Sequence, residues 1–214
     1  ATVTSSIIWG SQGRRNLFGF YGVTGMVNIE LTPEFCAKLG AAFGATQRKG
    51  SIVAVNREAH NIPRVLKRAM LSGLASAGIN VMDCETQPIP VIRFYTSLTD
   101  VSGGIHARLS PYDNRVVDIK FFSAEGVDLT HRQQRSIENV FFREDIRRVY
   151  LNEIGHITYP SDVLTAYYNH FMSALQSDLW PLADNYDHVV IDYANASSIL
   201  VLPDLLNRLK CDVV

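Results

Sequence analysis

Residues 51–82 place the tightest constraint on the fold. A short apolar run at 51–55 (SIVAV) is followed by Ile62, Val65, Leu66, Ala69, Met70, Gly73, Leu74 and Ala77, and then by a second apolar run at 79–82. The middle set recurs at spacings of three and one, the period of one face of a helix. Asn61 is placed to cap that helix and Gly78 to stop it. An amphipathic helix between two short apolar strands is the repeating unit of α/β sheets.

The same rhythm runs through most of the chain. Thr32-Pro33-Glu34 opens a helix that puts Phe35, Leu39, Ala42 and Phe43 on one face. Pro88 and Pro90 precede a helical pattern through Leu98. Strands are predicted at 101–107 and 116–122, around a loop at 110–114. Helices are predicted at about 131–143 and 161–176, a buried strand at 188–191, and a helix to Leu209 capped by Ser197 or Ser198. Residues 17–28 read as strand plus loop. The sum is an α/β chain with a mostly parallel or mixed sheet, and the rhythm restarts near residues 151–160. Residues 211–214 begin a strand with nothing after it, the pattern of a chain cut from a longer one.

Composition narrows the function classes. With 47% hydrophobic and 19% charged residues over 214 positions, the chain can bury a core and is not disordered. The net charge of −1 gives no basic footprint for nucleic acid. Basic pairs such as Arg14–Arg15 and Arg147–Arg148 read as solvated surface. Cys36, Cys84 and Cys211 are odd in number and lack metal-ligand spacing, so core packing in a reducing compartment is expected. No apolar stretch reaches the roughly 20 residues of a membrane span. The N-terminus shows neither the charged nor the apolar region of a signal peptide. A cytoplasmic setting is the resulting expectation.

Four segments can carry chemistry. They are 18–25 (FGFYGVTG), 55–60 (VNREAH), 103–111 (GGIHARLSP) with 118–122 (DIKFF), and 189–195 (VVIDYAN). His106 and Arg108 lie two apart and share a face if the strand reaches them. With Arg115 and Lys120 they form a candidate anion site, or else they are exposed polar residues at a strand end. Backbone N–H groups around Gly22 and Gly25 can cradle phosphate, or the glycines simply make turns. Asp192 and Asn195 are site residues or strand-end caps. No histidine pairs with cysteine or carboxylate at metal-ligand spacing.

In order and spacing the four segments resemble the α-D-phosphohexomutase family of phosphomannomutases and phosphoglucomutases. The family pattern reads FGTDGIRG, GRDTR, TASHNP with YNGIKF, and VVxDxxNG. The LTPE before the first helix and the Ser76-Ala77-Gly78 turn also match. The resemblance implies a three-layer α/β/α mixed sheet, with 17–152 as a complete domain I and 153–214 as part of domain II. It also implies that the loop 103–111 is a mutase loop without its nucleophile. Aligned on Ala107 and Pro111, the serine that carries the phosphoryl group falls on Arg108. A guanidinium is a fixed cation that can bind an anion but not relay a phosphoryl group. Ser110 lies two residues beyond that position, and in-line transfer does not tolerate such a shift. The family's other residues fall on Thr24 (arginine), His60 (arginine) and Ala196 (glycine), while Lys120 matches the proposed proton-transfer lysine. The loop between Pro111 and Lys120 is longer than the family pattern.

Mg²⁺ is expected of the family, but its DGDxDR loop has no counterpart in this chain, so no cofactor is expected here. Residues 1–16 resemble the join in bacterial fusions where a sugar nucleotidyltransferase and a hexapeptide-repeat β-helix precede a mutase-like domain. Residues 1–10 would be the last β-helix rung. The implied parent is of the mannose-1-phosphate guanylyltransferase/phosphomannomutase type. The implied partners are a hexose phosphate or other anion, the attached transferase and β-helix, and a second copy of the chain, with no nucleic acid and no membrane. The two readings are a degenerate mutase in nucleotide-sugar metabolism and a non-catalytic module that regulates or assembles the transferase.

Overall fold

The computed structural model describes residues 16–175, 188–194, 196–209 and 212–213. The β-helix rung read at 1–10, most of the linker after it, Asn195 and Cys211 lie outside the described residues. The chain opens with a hairpin of β1 (Phe18–Gly19) and β2 (Gly22–Met26), then α1 (Pro33–Thr46), β3 (Ile52–Arg57), α2 (Asn61–Ser76), β4 (Asn80–Thr86) and α3 (Ile89–Leu98). There follow β5 (Gly103–Leu109), β6 (Val116–Ser123), α4 (His131–Arg143), β7 (Ile157–Thr158) and α5 (Val163–Leu175). The last described elements are β8 (His188–Val189), a 3-10 turn (Ser197–Leu200), α6 (Leu202–Arg208) and β9 (Asp212–Val213).

Seven strands form one sheet in the order β1-β2-β6-β5-β3-β4-β7. β5, β3, β4 and β7 run parallel, while β1, β2, β6 and β5 are joined by antiparallel ladders. The sheet is therefore mixed. Side chains alternate across it, and the alternation builds two cores. Val53, Val55, Ile105, Ile119 and Phe121 face α1, α2 and α4 through Leu39, Phe43, Leu66, Met70, Leu74 and Ile137. Ala54 and Phe122 face the other way, against Val91, Ile92 and Tyr95 of α3 and Val163 and Tyr168 of α5. The architecture is the three-layer α/β/α sandwich that the resemblance implied.

The helix starts follow local chemistry. Thr32 caps α1 by accepting from the Phe35 N–H at 3.2 Å. Thr130 and Gln133 form a reciprocal capping box on α4. Asn61 is not the cap of α2: His60 is, its Nδ1 accepting from the Ile62 N–H at 3.2 Å. Val65 belongs to the exposed side of that helix, and Lys67 takes the buried place beside Leu66, reaching Asp83. Ser197 opens a 3-10 turn rather than the final helix, which starts at Leu202.

Two contacts explain how tightly α1 and α2 cross. A Cβ on Gly73 would run into the Ala37 carbonyl, and one on Gly40 would sit against the Met70 backbone. Arg147, expected as solvated surface, instead ties both helix ends. Its guanidinium donates to Ala77 O at 2.8 Å, Gln47 O at 3.0 Å and Gly44 O at 2.9 Å. Those carbonyls lie at the carboxyl ends of α1 and α2, so a cation there also meets the negative ends of two helix dipoles. No described helix is long and apolar enough to cross a membrane.

Candidate functional site

Polar groups gather at one end of the sheet, where β3 and β5 finish. Loops at the carboxyl ends of parallel strands are the usual ligand-binding edge of α/β sheets. Arg57 folds the loop after β3, its guanidinium donating to the carbonyls of Glu58, Ala59 and His60. The Glu58 N–H donates to Ala107 O at 2.9 Å, which fastens this loop to the end of β5. The Glu58 carboxylate accepts from the Ser197 N–H at 3.2 Å. The 3-10 turn that follows the fourth segment is thereby drawn to the same edge. Within it, Asp192 accepts from its own Ala194 N–H at 2.9 Å, a turn cap.

The strand registers create two cross-strand pairs on the sheet face that carries α3. Asn56 lies beside His106, and Arg108 lies opposite Asp118, which in turn lies opposite Thr24. Asp118 is fully buried; its Oδ1 accepts from Thr24 Oγ1 at 2.9 Å and its Oδ2 sits 3.4 Å from an Arg108 nitrogen. That last contact is coulombic, because among the described residues neither Asp118 Oδ2 nor Arg108 Nε finds a hydrogen-bond partner. Three neighbouring strands are thus joined through one buried carboxylate.

His106 is fully buried, so it stands apart from any solvent-facing anion site. Asn56 Nδ2 donates to Gln87 O at 2.8 Å, which turns Asn56 Oδ1 toward His106 Nδ1 at 2.8 Å. Nδ1 must then carry the proton, and Nε2 is a lone pair without a partner. Burial, with Arg108, Arg93 and Lys120 nearby, pushes the His106 pKa from 6.5 down to about 3. The neutral ring adds no positive charge for an anion.

This shift has a pH signature. Below pH 6.5 the unfolded chain takes up a proton that the folded ring refuses. The stability involved is complete above pH 6.5 and is lost as pH falls toward 3, by up to about 1.4 kcal/mol per pH unit. Thermal midpoints of the wild type are expected to fall more steeply across that window than those of His106→Gln. Parallel curves would remove His106 as the cause.

The other expected site residues separate into two groups. Lys120 stays at the edge: it is half-buried, lies opposite His106 in the register, and pairs with no described residue. Arg115 does not join it. It is exposed on the turn and held by Asp113, at 2.7 Å between charged groups. Ser110 belongs to the same turn, its Oγ accepting from the Tyr112 N–H at 3.4 Å and its own N–H donating to Val116 O. Gly22 has φ +99° and lies so close to the Ile119 carbonyl that only glycine fits. Gly25 is inside β2, opposite Val117 and covered by Glu30 and Leu31. Both glycines serve close backbone packing here.

Asp118, Asn56, Glu58 and the tyrosines Tyr21 and Tyr112 were not singled out from the sequence as site residues. One signal was available for two of them. Aligned on Ile119-Lys120-Phe121, the glycine of YNGIKF falls on Asp118, and the glycine of GRDTR falls on Asn56. Each glycine departure faces a second departure across the ladder, Arg108 and His106. Among the described residues no three His, Cys, Asp or Glu side chains converge. Asp118 is already paired and its neighbours Arg108 and Lys120 are cationic, so this edge does not suit Mg²⁺.

A mixed α/β/α sheet with its polar residues at the ends of parallel strands defines the class; comparison with known proteins places the chain within it. Residues 15–148 match the family model described as phosphoglucomutase/phosphomannomutase, alpha/beta/alpha domain I. The chain belongs to the phosphoglucomutase/phosphomannomutase family. It is 34% identical over 202 residues to a phosphoglucomutase/phosphomannomutase of Thermococcus kodakarensis, covering 92% of this chain and 44% of that protein. It is 31% identical over 201 residues to a phosphoglucosamine mutase of Natranaerobius thermophilus, again covering 92% and 44%. A crystal structure of a phosphoglucomutase/phosphomannomutase family protein from Burkholderia thailandensis superposes with a TM-score of 0.76 at 20% identity, covering 94% of this chain and 43% of the other. The chain spans less than half the length of these relatives.

Proposed function

We propose that this chain is a phosphohexomutase-type region that binds a hexose phosphate at the β3–β5 edge but no longer relays a phosphoryl group. The observation that carries the reading is the Arg108–Asp118–Thr24 row. A serine ester forms when the hydroxyl oxygen attacks phosphorus and gives up its proton. At the matching position a guanidinium offers no nucleophilic lone pair at neutral pH, and it is anchored to a buried carboxylate. Lys120, whose ammonium pairs with no described residue, is the cation left to hold a phosphate.

In this reading residues 17–152 are domain I and 153–214 the start of domain II. The wider role is in nucleotide-sugar metabolism, as a degenerate mutase region attached to a β-helix and a mannose-1-phosphate guanylyltransferase-like enzyme. That attachment is supported by residues 1–16 alone. The test is a coupled assay of the full-length protein with mannose 6-phosphate. No mannose 1-phosphate above the uncatalysed background is expected, and measurable conversion would sink the proposal. The same row of paired charges favours a second role for the domain, regulating or assembling the attached transferase.

A further inference from the structure

Two loops at the polar edge carry aromatic rings that face solvent. Phe20 at the β1–β2 turn is 92% exposed, and Tyr112 at the β5–β6 turn is 75% exposed. Tyr21 links them: its ring lies 5.0 Å from Phe20 at 87° and 5.5 Å from Tyr112 at 46°, and its hydroxyl donates to the Tyr112 oxygen at 3.2 Å. That hydrogen bond, with smaller effects from burial and from the charges of Tyr112 and Asp118, raises the Tyr21 phenol above its ordinary range, and Arg108 opposes it. Tyr21 leads directly into β2, whose Thr24 binds Asp118, so the trio stands near the Arg108–Asp118 pair. The Lys120 backbone adjoins the same turn, since a Cβ on Gly22 would come within 3.3 Å of the Lys120 Cα.

Resting on the phosphosugar reading, we infer that Phe20, Tyr21 and Tyr112 form a stacking platform for the ring of the hexose phosphate whose phosphate meets Lys120. The trio accounts for two large side chains left in water at adjoining turns, where isolated exposure would need no explanation but a linked patch does. Its geometry selects the occupant. Rings meeting at 87° and 46° make a V rather than a flat parallel slot. A puckered hexose fits a V, presenting C–H groups to the negative ring faces and hydroxyl groups to the tyrosine oxygens. The charge agrees: Asp118 offsets Arg108, while Lys120 pairs with no described carboxylate and is free to meet an anionic group.

Calorimetry on the full chain tests the platform with glucose 1-phosphate and inorganic phosphate as probes. The wild type is expected to bind glucose 1-phosphate about tenfold more tightly than inorganic phosphate. Phe20→Ala and Tyr112→Ala are expected to abolish that difference while leaving phosphate affinity unchanged, and Phe20→Tyr to retain it. Lys120→Met is expected to weaken both ligands. Phe20 and Tyr112 are exposed and Lys120 is half-buried, and circular dichroism confirms that each variant is folded. Equal affinities of the wild type for both probes, or an alanine variant that keeps the difference, would overturn the platform alone. Failure of the wild type to bind either probe would overturn the phosphosugar reading and the platform with it. A change of oligomeric state in Phe20→Ala, with sugar affinity intact, would assign the patch to a second copy instead.

Discussion

Arg108→Ser is expected to destabilise the protein by about 3 kcal/mol and not to recreate a working nucleophile. The reason lies in Asp118, which is fully buried and, among the described residues, is met directly by Arg108 and Thr24. Serine at 108 removes the cation and leaves an anion in the core with one hydroxyl donor. Removing one partner of a buried pair costs more than the pair itself contributes, because the other charge remains desolvated. Arg108→Ser/Asp118→Gly is expected to recover most of the loss. The two departures from the family pattern would then behave as a coupled pair. Urea unfolding of wild type, both single variants and the double variant gives the coupling directly. A single Arg108→Ser variant as stable as the wild type would show that the pair is not coupled.

Lys67→Met is expected to have the largest effect on stability, about 3–5 kcal/mol. Lys67 Nζ lies 2.5 Å and 2.7 Å from the two Asp83 oxygens, with both side chains nearly excluded from water. The pair crosses from α2 to β4. Asp83 Oδ1 also accepts the Glu85 N–H at 2.8 Å, where the backbone turns left-handed at φ 54°. The same carboxylate thus holds the irregularity that shifts the β3–β4 register between Val55 and Arg57. Methionine keeps the length and packing of the lysine stem but strands the carboxylate. Lys67→Met/Asp83→Asn is expected to restore most of the stability, since asparagine keeps an acceptor for the Glu85 N–H and carries no charge. Unfolding midpoints of the three variants separate charge from packing, and a harmless Lys67→Met would refute the burial argument.

Most of the fold was legible because it is written in short-range patterns. Phe35, Leu39, Ala42 and Phe43 repeat with the helical period, and the structure packs all four into one core. The β-branched runs at 51–55 and 116–122 became β3 and β6 because alternation across a sheet needs nothing beyond the neighbouring residues. Local reading failed where a side chain answers a distant partner. Lys67 sits on the buried side of an amphipathic helix only because Asp83 waits on the next strand. Arg147 looks like a surface residue until the ends of α1 and α2 arrive beside it. Val65 fits the helical period, yet it is on the exposed side.

For the site, the sequence alone carried the family resemblance and the expectation that Arg108 stands where the family has its serine, because these are matters of residue identity and order. It also carried the expectation that Lys120 matches the family's lysine. Only the tertiary structure decided what the replacements do. Arg108 and Asp118 are ten positions apart in the chain, and Thr24 lies far from both. Strand register places them side by side and burial makes their charges interdependent. The same register hides His106 behind Asn56 and leaves Lys120 at the edge, since residues on one strand face share neighbours but not solvent. Residue type sets which chemistry is possible. Which groups meet, and in what dielectric, is set by the sheet.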